Sequence, residues 1–90
     1  ARVLVMNGSG VVGAVKSEAD RLAAASLNVV SVGNSPQKIT EKYRVYQLES
    51  GKSKQASANK IKELYGVTLT EGKPPFNLPA EADFVVIIGP

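Results

Sequence analysis

The chain contains no cysteine, no histidine and no tryptophan. Without imidazole or thiolate, most zinc, haem and iron–sulfur chemistry is removed, together with the usual general base and the thiolate nucleophile. The missing cysteines leave the redox compartment open, since they suit an exported bacterial domain as well as a cytosolic one. No apolar run approaches the ~18 residues of a membrane span, and no stretch reads as a signal peptide. The chain opens directly in a strand pattern and stops on Gly89-Pro90. It reads as one domain, residues 1–90, excised from a longer protein whose targeting segment, if any, lies upstream.

What remains is an ordinary globular composition, 43% hydrophobic and 21% charged over 90 residues. That length makes a single domain, burying roughly 60–65% of its unfolded surface. It suffices for one core between a sheet and two helices. The net charge of +3 is unevenly spread: between Lys38 and Lys62 stand Lys38, Lys42, Arg44, Lys52, Lys54, Lys60 and Lys62 against only Glu41 and Glu49. Such a run is either a solvated face or a patch for a polyanion.

The most informative stretch is the first fourteen residues. Val3 to Met6 is apolar on both faces and reads as a central strand. Asn7 and three glycines, Gly8, Gly10 and Gly13, follow, and helical periodicity begins directly after them. A strand that turns through glycines into a helix N-terminus can present backbone N–H groups to an anion. The spacing is GxGxxG, but a dinucleotide site also needs an acidic residue about 20 residues further on. The second strand, Asn28 to Asn34, carries none, and the next acid is Glu41. No cofactor is expected. Ser9 has no neighbouring base and lacks the elbow spacing of a hydrolase nucleophile, so no catalytic residue is assigned.

The periodicities place a first helix over Val12 to Ser26, with Asn28 as the turning residue after it, and a second strand over Leu27 to Val32. A third strand is expected over Tyr43 to Leu48, and a second helix over Lys52 to Tyr65 capped by Gly66. Val67 to Leu69 reads as a short edge strand, and Phe84 to Ile88 as an apolar, central last strand. Residues 70–83, with three prolines, are too long for a bare connector and are expected to lay Phe76 and Leu78 across the open sheet face. The fold class is α/β, in the order β-α-β-β-α-β: a four- to five-stranded mixed sheet with two helices. The first and last strands sit in the middle, and each half forms a parallel crossover.

The run Asn7-Gly8-Ser9-Gly10-Val-Val-Gly13-Ala14, followed after a helix by Val29-Val30-Ser31-Val32-Gly33-Asn34, resembles the LytR C-terminal domain family. The closing Ala82-Asp83 before Val85-Val86-Ile87-Ile88-Gly89 agrees with it, and the likeness covers almost the whole chain. The resemblance implies an extracytoplasmic module of the bacterial cell envelope, often found after a LytR-CpsA-Psr catalytic domain. The Arg and Asp motifs of that catalytic domain are absent here. The expected function is therefore non-catalytic: binding of a wall glycan, an anionic wall polymer or an envelope partner protein in support of wall assembly.

The candidate ligand-binding residues are Asn7, Gly8, Ser9, Gly10, Gly13 and Asn34 around the glycine turn, with Lys52 and Lys54 at the start of the second helix. Tyr43, Tyr46 and Tyr65 are candidate sugar platforms or core residues. Alternative readings are a small nucleotide- or phosphate-binding domain using the GxGxxG turn, and an oligomerisation module should the second sheet face lie bare. No nucleic-acid partner is expected, because the central strands carry aliphatic rather than aromatic side chains. The membrane is reached only through an anchor outside this sequence, and no metal is expected.

Overall fold

The computed structural model describes residues 2–9, 14–36, 39, 41–74, 76, 78 and 81–89. Its elements are β1 (Arg2–Asn7), α1 (Ala14–Ala24), β2 (Asn28–Asn34), β3 (Tyr43–Gln47), a 3-10 turn (Glu49–Ser53), α2 (Gln55–Tyr65), β4 (Thr70–Glu71) and β5 (Phe84–Ile88). The five strands form one mixed sheet in the order β2-β1-β5-β3-β4.

The two strands that are apolar on both faces, β1 and β5, lie side by side at the centre and run parallel, Val3 opposite Phe84 and Asn7 opposite Ile88. Such strands can be satisfied only when both faces are covered. Val3, Val5, Phe84, Val86 and Ile88 point to the helices, where Leu22, Ala58, Ile61 and Tyr65 close over them. Leu4, Met6, Val85 and Ile87 point the other way, under Ile39, Tyr46 and Ala82, with Leu48, Phe76 and Leu78 packed against them. Phe76 and Leu78 thus lie across the open face as expected, and the bare face on which the oligomerisation reading depended is covered.

Several boundaries differ from the sequence reading. The second half is not a parallel β3–β5 crossover: β3 runs antiparallel to β5, Val45 opposite Val86. The parallel partner that α2 reaches is β4, with Tyr46 opposite Thr70. β4 starts at Thr70 rather than Val67, because Val67 and Leu69 pack into the helix-side core before the chain reaches β3. β2 extends past Val32 through Gly33 and Asn34, because parallel pairing with β1 continues to Asn7 opposite Asn34.

The described part of α1 ends at Ala24, and its turning residue is Ser26 (φ 66°), not Asn28. The Leu27 N–H donates to the Leu22 carbonyl at 3.0 Å and the Ser26 N–H to the Ala23 carbonyl at 3.0 Å. This is the Schellman closure, with Leu22 and Leu27 in apolar contact beneath it. The residue needing left-handed geometry is set by the carbonyls awaiting donors, and Asn28 is already in β2. Residues 11–13 lie outside the described residues.

The second helix is in two pieces. A 3-10 turn, Glu49–Ser53, precedes Lys54 (φ −111°, ψ 58°), and α-helix begins only at Gln55. Gly66 does close α2, left-handed at φ 64°, its N–H donating to the Lys62 carbonyl at 2.7 Å.

Candidate functional site

The residues singled out in the sequence fall at opposite ends of the sheet. Asn7, Gly8, Ser9 and Asn34 lie at the C-terminal ends of β1 and β2. Lys52, beside Glu49, and Lys54, near Asp83, lie at the other end, where β1 begins and β3 finishes. β1 alone separates the two ends by about 16 Å at ~3.3 Å per residue. They do not form one anion site.

At the glycine turn the chain uses its own donors. The Gly8 N–H donates to the Ile88 carbonyl at 2.8 Å, continuing the β1–β5 ladder. The Ser9 N–H and hydroxyl both donate to Asn7 Oδ1, at 3.0 and 2.6 Å. Asn7 is buried, and its carbonyl accepts from the Ser35 N–H at 2.9 Å. Gly8 and Ser9 therefore do not aim their amides at a ligand, and Asn7 serves as a turn-forming side chain. Asn34 is exposed at the rim of this turn. Gly10 and Gly13 lie outside the described residues.

At the other end, Lys52 Nζ is 3.2 Å from Glu49 Oε2. The Glu49 carboxylate holds the ammonium above the usual lysine value. The anion that offsets cations at the start of α2 is thus supplied by the chain. A second carboxylate, Asp83, is only 1% exposed. It accepts from the Arg2 N–H at 2.8 Å through Oδ2, and the Arg2 guanidinium stands 3.8 Å from Oδ1. Burial pushes this carboxyl up, but the Ser50 hydroxyl, the Arg2 amide and the charges of Lys54 and Arg2 outweigh it. Asp83 is held below the usual carboxylate range and pins the starts of β1 and β5 to the 3-10 turn.

Two described members of the basic run of the middle third lie on opposite faces of the sheet. Arg44 pairs with Glu41 at 2.6 Å on the strap-covered face, and Lys60 donates to the Ala25 carbonyl at 2.9 Å on the helix face. The tyrosines do not offer a platform. Tyr46 and Tyr65 are buried, and Tyr43 packs on Tyr65 with ring centroids 4.6 Å apart, donates to Glu18 at 3.3 Å and has Lys42 over its ring.

The concavity lies where sequence reasoning placed only covering residues. A cleft of about 950 Å³ opens on the strap-covered face, near the starts of β1 and β5. Leu48, Phe76, Leu78 and Ala82 form its apolar surface, and Arg2, Glu49, Ser50, Lys73 and Glu81 its polar rim. Gly72, left-handed at φ 98°, donates to the Gln47 carbonyl at 2.9 Å and turns the chain from β4 towards Lys73. The signal was present in the sequence as a proline-rich stretch interleaved with Phe76 and Leu78. What the sequence did not show was that η-turn residues Glu49 and Ser50 close the opposite wall.

A mixed five-stranded sheet, two helices on one face and a cleft under a strap on the other define a small α/β module. The chain belongs to the LytR_C family, described as LytR cell envelope-related transcriptional attenuator, whose family model matches residues 1–90. Association with the cell envelope follows from that membership. No curated protein and no solved structure matches the chain. Among the described residues no helix is long and apolar enough to cross a membrane, and no group of three or more acidic side chains could hold a metal ion.

Proposed function

We propose that this domain is a non-catalytic, extracytoplasmic binding module of the cell envelope, and that it holds wall material or an envelope partner in the cleft lined by Leu48, Lys73, Phe76 and Leu78. The observation that carries this reading is the cleft: an apolar concavity of about 950 Å³ with polar groups around its mouth. Its size and lining are those of a ligand site. Asn7, Gly8 and Ser9 at the glycine turn, by contrast, are engaged with one another and with β5. Ion pairs among the described residues, such as Arg2–Asp83, Arg21–Glu18, Arg44–Glu41 and Lys52–Glu49, hold segments of the fold together. They do not converge on a point where a bond would be made or broken. The module tethers, and any chemistry on the polymer belongs to a neighbouring domain or protein.

Co-sedimentation with isolated bacterial sacculi tests this. The wild-type domain is expected to pellet with the walls, and a variant with Leu48→Asp and Ala82→Asp, which charges the cleft, to stay in the supernatant. Equal sedimentation of both, or turnover of wall material by the domain alone, would overturn the proposal.

A further inference from the structure

The lining of the cleft also discriminates between classes of wall material. Resting on the reading of the cleft as the binding surface, we infer that its occupant is an uncharged glycan, held by ring stacking on Phe76 and by hydroxyl contacts to the rim, rather than a polyanion.

The first argument is charge. Among the described residues the rim carries two cations, Arg2 and Lys73, and two carboxylates, Glu49 and Glu81. Arg2 already lies 3.4 Å from Glu81 and 3.8 Å from Asp83, and Glu49 lies 3.2 Å from Lys52. A polyanion entering here would gain Lys73 and meet two carboxylates, so its attraction would be close to cancelled. The other cations near this end are opposed, Lys52 by Glu49 and Lys54 by Asp83, while Lys60 is on the helix face and Arg44 is bound to Glu41. Sugar hydroxyls, which both donate and accept, suit a rim of paired carboxylates, a guanidinium and the Ser50 hydroxyl.

The second argument is the aromatic. Tyr46, Tyr65 and Phe84 are buried, and the Tyr43 ring is taken up by Tyr65 and Lys42. Phe76, partly buried, is the aromatic among the described residues that lines the cleft, together with Leu48 and Leu78. A flat apolar surface flanked by hydrogen-bonding groups matches the C–H face of a pyranose ring with its equatorial hydroxyls.

The third argument is backbone. Extended peptides gain affinity by adding to a sheet edge. This cleft lies over a sheet face, where the main-chain groups of β1, β5 and β3 are paired with each other. Recognition here rests on side chains, as a saccharide requires.

The test is calorimetric titration with two probes, an uncharged β-1,4-linked N-acetylglucosamine tetramer and poly(glycerol phosphate). Two variants accompany the wild type: Phe76→Leu, which keeps apolar packing but removes the ring, and Lys73→Glu. The tetramer is expected to bind with an affinity changing less than about twofold between low and high salt, since no counterions are released. Phe76→Leu is expected to weaken it about tenfold, and Lys73→Glu to weaken it less than that, because it alters one rim contact and keeps the ring anchor. Binding of poly(glycerol phosphate) alone, steeply salt-dependent and abolished by Lys73→Glu, would overturn the glycan assignment while leaving the cleft as a binding surface. Failure of both probes, with sacculi still sedimenting the wild type but not the charged-cleft variant, would overturn it too and point to an envelope protein.

Discussion

Gly51 lies directly against the backbone carbonyl of Asp83: a Cβ at residue 51 would stand 2.5 Å from that oxygen. The contact locks the 3-10 turn to the start of β5, and it is closed by the Leu48 N–H donating to the same carbonyl at 3.0 Å. The obstructing atom is backbone and cannot swing aside. Gly51→Ala should therefore destabilise the fold by about 1–3 kcal/mol, the range for overpacking a filled site. Urea unfolding checks this. A change below a few tenths of a kcal/mol would show that the turn is not held in this way.

Asp83 gives the fold an acid limit. Its carboxyl is held below the usual value in the folded chain, so its stabilisation is complete above the unfolded carboxyl pKa, about 3.9. It is lost as pH falls through the lower folded value. Asp83→Asn should cost about 1–2 kcal/mol between pH 5 and 8, where a charge-assisted bond from the Arg2 amide is weakened. The difference from wild type should shrink as pH drops below about 4. Thermal melts over that pH series provide the check, and a gap that grows on acidification would contradict the assignment.

Ser26 occupies a left-handed position (φ 66°) that an L-residue adopts at a cost. Ser26→Gly keeps the closing bonds to Leu22 and Ala23 and removes the Cβ penalty. It is expected to raise stability by about 0.5–1 kcal/mol. Asn28→Gly, at the position the sequence suggested, lies in β2 and should be neutral or destabilising. Paired denaturation curves distinguish the two.

At the glycine turn, Asn7→Ala removes the acceptor for both the Ser9 amide and hydroxyl. The expected outcome is a loss of roughly 1–2 kcal/mol in stability with sacculus binding unchanged at a temperature where the variant is folded. Loss of binding in a folded Asn7→Ala protein would return the ligand to this end of the sheet.

The sheet centre was legible in the sequence because Val3 to Met6 and Phe84 to Ile88 lack polar alternation, and only interior strands tolerate that. The strap was legible because prolines interleaved with Phe76 and Leu78 have no other economical placement. The direction of β3 was not legible, since Tyr43 to Gln47 packs equally well against β5 in either sense; the deciding contact, Gly51 against Asp83, is made by backbone atoms 32 positions apart. The candidate site misled for a related reason. A GxGxxG spacing records that a turn is tight but not whether its amides face outward, and here Gly8 donates inward to Ile88. Likewise Lys54 looked unopposed because Asp83 is distant along the chain and adjacent only after folding.

The most direct measurement is amide chemical-shift mapping of the labelled domain during titration with a soluble digest of bacterial cell wall. Binding in the cleft predicts perturbations clustered at Leu48, Glu49, Ser50, Lys73, Phe76 and Ala82, with Gly8, Ser9 and Asn34 unmoved. Shifts concentrated at Gly8, Ser9 and Asn34 with the cleft residues silent would contradict it.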